Sequence, residues 1–347
     1  MNQTQQPGEH VFLELRARDA WSQREYESAQ SIAREAAGLA ASHGDENAWW
    51  NMSFLEAECF KKLGNIREAE AHARSLQEHP LTGRYPDLSS RVATFLAVAL
   101  QGQGDLAAAA EEARRAVAIA ASAADSPDLH ITAQHALIAA LAESDQLDDA
   151  WQECLRLAEL ITADVNSQTA GKAYWVIGNV AYLRRDAATG TDYHRRAASN
   201  LSPSNDLDLW ARFNRASAAL RLAGGVVEPE TLECIERAEL AASIVGGSER
   251  DKLELSLTRA HWLFLTAQYD AAVDRLRPIC DASSLIASQT AAEAYMLLGQ
   301  ALARSGDALE GLFQLEKSQE LFRQSGAPDR EAQVGKLIDE VHRRAQA

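Results

Sequence analysis

The chain has 347 residues, a 46% hydrophobic fraction and a formal net charge of −16. That apolar content excludes wholesale disorder, and a charge so negative repels a phosphate backbone, which argues against direct nucleic-acid binding. No apolar stretch is long enough to span a membrane, and the polar N-terminus lacks the order of a signal peptide, so a soluble cytoplasmic protein with no membrane partner is expected. Cys59, Cys154, Cys234 and Cys280 lie far apart with no C-x-x-C pair, which reads as buried free thiols rather than a zinc cluster or disulfide framework.

In chain order the sequence reads helix, tight polar turn, helix, repeatedly. The residues opening the second helix of each pair are Tyr26, Ile66, Leu106, Leu147, Ala187, Tyr269 and Ala308. They succeed one another at 40, 40, 41, 40, 82 and 39 residues, and the 82 hides a degenerate unit with its turn at Gly224-Gly225 and its second helix from Pro229. Residues 328–344 then read as one more amphipathic helix with an apolar stripe of Val334, Leu337, Ile338 and Val341. Its expected role is to cap the last exposed repeat face. The divisions are a lead-in at 1–8, repeats over 9–326 and a capping helix over 327–347.

The turns have a physical logic. Gly64, Gly104 and Gly306 stand where a helix ends in the left-handed region, which glycine enters without steric cost. Asn65, Asp105 and Asp307 follow as expected caps of the next helix. Three residues after each marker stands a small residue (Ala29, Ala69, Ala109, Ala150, Gly190, Ala272 or Gly311), which lets the second helix lie close against the first. Linkers between pairs are read at His79-Pro80, Asp125-Ser126-Pro127-Asp128, 202–206 and Gly246-Gly247-Ser248.

These features resemble the tetratricopeptide repeat. Tyr174, Ile177, Gly178 and Ala181 follow that family's first-helix pattern, as do Tyr295, Leu298, Gly299 and Leu302. Other first helices keep the small residue as Ala17, Ala57, Ala97, Ala216 and Ala260, with Ile138 in the fourth. The period departs from the usual 34 residues and is similar to the longer repeats of bacterial regulators that sense peptides. The resemblance implies an all-α, right-handed superhelical solenoid of about eight helix-turn-helix repeats plus the capping helix.

No chemistry-bearing motif appears. The nine histidines show no ligand spacing, and there is no phosphate-binding glycine loop or nucleophile elbow. Neither catalysis nor a cofactor or metal is expected. The resemblance implies that the second, fifth, sixth, ninth, twelfth and thirteenth positions of each first helix line a concave groove. Those positions give Phe54, Glu58, Lys61 and Lys62, then Arg91, Thr94, Phe95 and Val98, then His135 and Ala139. Lys172, Asn179 and Tyr182 follow, then Trp210, Phe213, Asn214 and Arg221, then Thr258 and His261; Arg18 and Trp21 precede them all.

The strongest groove candidates are Lys172, Asn179, Asn214, Arg91, Arg221, Tyr182 and Phe213. Asparagine both donates and accepts along a peptide backbone, the cations pair with carboxylates, and the aromatics anchor apolar side chains. The expected function is a protein- or peptide-binding scaffold. The alternative is the peptide-responsive body of a bacterial transcriptional regulator acting through a partner or through a DNA-binding domain absent from this chain, since no helix-turn-helix sequence precedes the repeats.

Overall fold

The computed structural model describes residues 8–122, 127–246 and 248–345. Gly8 is the described residue of the expected lead-in; linker residues Asp125, Ser126 and Gly247 lie outside the described set, as do the last two positions of the expected capping segment. The described residues form helices and turns without a strand. Two compact units divide the chain after Arg184.

The first unit holds α1 (Glu9–Ser22), α2 (Tyr26–His43), α3 (Glu46–Lys62), α4 (Ile66–Glu78), the short α5 (Pro80–Arg84), α6 (Pro86–Gly102), α7 (Leu106–Ser122), α8 (Pro127–Glu143), α9 (Leu147–Leu160) and α10 (Ser167–Leu183). The second holds α11 (Ala187–Asn200), α12 (Leu207–Ala223), α13 (Pro229–Val245), α14 (Glu249–Leu265), α15 (Tyr269–Asp281), α16 (Ser288–Ser305), α17 (Ala308–Gln324) and α18 (Pro328–Ala345), with one 3₁₀ turn at Ser283–Leu285. All eight second helices begin at the residues that mark them in the sequence, Pro229 included.

Alanine stripes explain how the helices pack. Ala29, Ala33, Ala36, Ala37 and Ala40 are the buried residues of α2, and Ala109, Ala110, Ala113, Ala116 and Ala120 those of α7. Their spacing follows the helical period, so one face of each helix lies close to its neighbours with little side-chain entropy lost. The sequence pattern around His79-Pro80 reads as a linker, whereas the structure forms α5 there. Its Thr82 accepts from Trp50 Nε1 at 2.7 Å and donates to the Leu76 carbonyl at 2.6 Å, which locks Trp50 of α3 in place.

In seven pairs the turn passes through the left-handed region two residues before the marker, at Arg24, Gly64, Gly104, Asp145, Arg185, Ala267 and Gly306; in the sixth Gly225 does so, ahead of a longer connection to Pro229. Glycine is therefore favoured at this turn but not required; four of the eight positions bear the Cβ and its strain. Asp186 accepts from the Thr189 amide at 3.0 Å and Asp307 from the Glu310 amide at 3.1 Å. Asp105 caps α7 through the Ala108 amide at 3.2 Å, but Asn65 makes no side-chain cap, contrary to expectation. Asp186→Ala and Asp307→Ala are each expected to cost about 1 kcal/mol in urea unfolding, while Asn65→Ala costs less than ~0.5 kcal/mol. Equal losses at all three positions would show that the cap is not what distinguishes them.

Candidate functional site

In the first unit, the first helices α3, α6 and α8 together line a pocket of about 520 Å³. Seven of the groove positions read from the sequence meet there: Phe54, Glu58 and Lys61 from α3, and Arg91, Thr94, Phe95 and Val98 from α6. α8 adds Leu129 and Thr132. Asp87 and Asp128, each the second residue of a helix that opens with proline, stand at the same rim.

The aromatic floor is built layer on layer. Trp50, held by Thr82, stacks on Phe54 with centroids 5.1 Å apart and planes 6° from parallel. Phe54 meets Phe95 edge-on at 5.5 Å. The Arg91 guanidinium lies over Phe54 at 4.6 Å and Trp50 at 5.0 Å, while Lys61 Nζ lies over Phe95 at 4.6 Å. Cations on ring faces gain about 0.5–2 kcal/mol, which holds both heads against the aromatic wall of the pocket.

Glu58 lines the same pocket. Burial raises its carboxyl pKa, and the nearby charges of Lys61, Arg91, Lys62 and Arg18 act in the opposite direction. Burial also lowers the Arg91 pKa, a shift that the Glu58 charge opposes. Both shifts show a site partly withdrawn from water, where charge pairing counts for more than at the surface. The Thr94 hydroxyl is buried and makes no hydrogen bond among the described residues. The pocket lining thus offers two cations, aromatic faces and one desolvated carboxyl.

The other sequence candidates fall elsewhere. Lys172 is exposed on α10, Asn179 is half-buried and Tyr182 is buried. The Lys172 charge adds to burial in lowering the pKa of His135 on α8 to about 4.

Phe213, Asn214 and Arg221 require a correction: all three are buried in the second unit. Asn214 Nδ2 donates to the Trp210 carbonyl of its own helix at 2.7 Å, and Phe213 packs edge-on against His194 at 5.8 Å. Arg221 Nε and Nη1 are buried and donate to no acceptor among the described residues.

The cause is register. In the other seven pairs the small first-helix position stands seven residues before the left-handed turn residue, as with Ala97 and Gly104 or Ala260 and Ala267. In the sixth pair that residue is Gly225, so the equivalent position is Ala218, which is fully buried, and not the half-buried Ala216. A two-residue shift rotates a helix position by roughly 200° and carries a groove residue to the interior. The corrected register presents Arg212 and Arg215 instead; Arg212 is exposed, and Arg215 pairs with Asp251 at 3.0 Å.

The four cysteines are buried free thiols. Burial pushes Cys59, Cys154 and Cys280 up to about 12 and raises Cys234 as well, so none is a poised nucleophile. Among the described residues no three His, Cys, Asp or Glu side chains are grouped to hold a metal ion, and no helix is long and apolar enough to cross a membrane.

No family model matches the sequence, and no curated protein matches it. Solved structures do resemble it. A Rap protein complexed with competence and sporulation factor aligns at a TM-score of 0.55 and 12% identity, over 97% of this chain and 98% of that one. The apo form of RapI aligns at a TM-score of 0.51 and 13% identity, over 92% of this chain and 99% of that one. A tetratricopeptide repeat protein from Parabacteroides merdae aligns at a TM-score of 0.48 and 13% identity, over 82% and 98% of the two chains. The helix pairs, their left-handed turns and the alignments with the two Rap proteins give the chain an all-α fold of tetratricopeptide-type helical repeats.

Proposed function

We propose that this chain is a protein- or peptide-binding scaffold, and that a partner segment docks in the pocket between α3, α6 and α8. The observation that carries the reading is the pairing of Arg91 and Lys61, each seated on an aromatic face, in one partly desolvated pocket. Such a surface suits a segment with an acidic group beside an apolar side chain. The carboxylate pairs with the cations, and the apolar group covers the floor left between Phe95, Val98 and Leu129. Glu58 and the Thr94 hydroxyl supply acceptors for backbone amides. The pocket lining suits binding, and we read the chain as a binding scaffold rather than an enzyme.

A second reading makes the repeats the peptide-responsive body of a regulator. It is favoured by the fold similarity to a Rap protein crystallised with competence and sporulation factor. Both readings share the docking step and differ in the response that docking triggers.

Selection of peptides from a displayed random library on the purified chain tests the shared step. Binders are expected to lose about 2–4 kcal/mol on Lys61→Glu, Arg91→Glu, equivalent to roughly a 30- to 1,000-fold weaker Kd. Circular dichroism checks that the variant keeps its helices. Equal affinity in a folded variant would remove this pocket as the docking site.

A further inference from the structure

A second pocket, of about 450 Å³, lies against α17 in the second unit. We infer that it is a docking site for a basic segment of a partner protein, taking a lysine or arginine side chain between Tyr295 and Phe313.

The site already shows how it holds a cation. Lys317 Nζ lies 4.5 Å from the centroid of Phe313 and 5.4 Å from that of Tyr295, so the two rings flank one ammonium. The Tyr295 hydroxyl donates to the Cys280 carbonyl at 3.0 Å, which fixes its ring. Glu316 and Glu320 line the same pocket; Glu320 accepts from Arg323 and Gln324. Aromatic faces with carboxylates beside them form a cation site, and Lys317, on a flexible four-carbon stem, is a resident that an incoming basic side chain displaces.

The surroundings supply the rest of a docking surface. Phe313 is 53% exposed, and Leu309, one turn earlier on the same face of α17, is 83% exposed; Leu285 in the adjoining 3₁₀ turn is also exposed. At helical spacing Leu309 and Phe313 make a strip for apolar residues flanking the basic one. Charge selects the occupant. A second copy repels a chain of net charge −16 with the same charge, whereas a basic segment is attracted to that chain and to the Glu316 carboxylate, Glu320 being held by Arg323. This surface is separate from the first-unit pocket and shares no residue with it.

The test uses the full chain and a fluorescein-labelled peptide of alternating arginine and leucine, followed by anisotropy at physiological salt, with a glutamate–leucine peptide beside it. The arginine peptide is expected to bind and the glutamate peptide not to bind. Phe313→Ala, and separately Glu316→Gln with Glu320→Gln, are each expected to weaken binding at least tenfold. Lys317→Met, which removes the resident cation and keeps most of its stem, is expected to tighten it several-fold. All three changes lie on exposed or half-buried positions, so the fold survives them, and far-UV circular dichroism verifies that.

Three results overturn the inference. Unchanged binding by the Phe313 and carboxylate variants assigns the attraction to the chain's overall charge. Preference for the glutamate peptide makes Lys317 an anion contact. Self-association that Phe313→Ala abolishes gives the face to a second copy.

Discussion

Acidification from pH 7 to pH 4 is expected to destabilise each unit by up to about 3 kcal/mol through one histidine, His135 in the first and His261 in the second. Burial lowers both imidazoles from the ordinary 6.5 to about 4, helped by the charge of Lys172 at His135 and of Arg330 at His261. Above pH 6.5 the side chains are neutral in folded and unfolded chains alike, and neither contributes a pH dependence. Between 6.5 and 4 the unfolded chain takes up the proton and the folded chain does not, so stability falls as pH falls. Below 4 both forms are protonated and the loss levels off.

A separation of 2.5 pH units corresponds to about 3 kcal/mol at 1.36 kcal/mol per unit, an upper bound because both side chains are only partly buried. Glu58 works the other way: a carboxyl raised by burial takes up its proton more readily in the folded chain, which offsets part of the loss in the first unit. Urea unfolding at pH 7.5, 5.5 and 4.5 reads the effect. His135→Gln and His261→Gln should each flatten the pH dependence, since glutamine does not titrate. Parallel pH profiles for wild type and both variants would show that these histidines titrate normally.

Gly299→Ala carries the other large effect, a net loss of about 2–3 kcal/mol. A Cβ at Gly299 stands 2.7 Å from the Gly311 carbonyl oxygen and 2.7 Å from Leu315 Cγ, and one at Gly311 stands 2.8 Å from the Gly299 oxygen. The two glycines face each other across α16 and α17, and what blocks the added methyl is backbone, which moves only if the helices part. Overpacking at such a contact exceeds the ~1 kcal/mol that alanine gains over glycine in a helix. Gly38→Ala is the control, because nothing lies within 4 Å of a Cβ there in the middle of α2. It should stabilise the chain by about 0.5–1 kcal/mol. Opposite shifts in the unfolding midpoint are expected, and a Gly299→Ala chain as stable as wild type would mean that α16 and α17 are not so close.

Most of the architecture is legible in the sequence because each turn carries several independent signals at one spacing. A left-handed residue, an acidic cap and a small residue three positions into the next helix all agree at Gly104-Asp105 and Gly306-Asp307. The sixth pair shows where such reading fails. Its first helix runs Ala216, Ser217, Ala218, Ala219, four small residues in succession, so smallness marks no single position there. Gly225 carries the decisive signal, and counting seven back from it yields Ala218.

The first pocket is legible in part. The repeat register brings Arg91, Lys61, Phe54 and Phe95 to one face, but Trp50 lies behind that face and depends on α5, whose single turn leaves no periodic trace. Asp87 and Asp128 fall outside the groove positions, yet they carry a signal of their own: Pro-Asp recurs at 86–87 and 127–128, one repeat apart, at the starts of adjacent first helices. The α17 pocket is invisible to the same register, since it is built on a second helix and an irregular turn.

The buried thiols give the molecule a set of clocks. Cys59 on α3 and Cys154 on α9 lie in the first unit; Cys234 on α13 and Cys280 on α15 lie in the second. With their ionisation suppressed and their sulfurs covered, each reacts with an alkylating reagent only while its own helix is open. The order in which the four are modified in the wild-type chain therefore records the order in which its repeats breathe, without any introduced label.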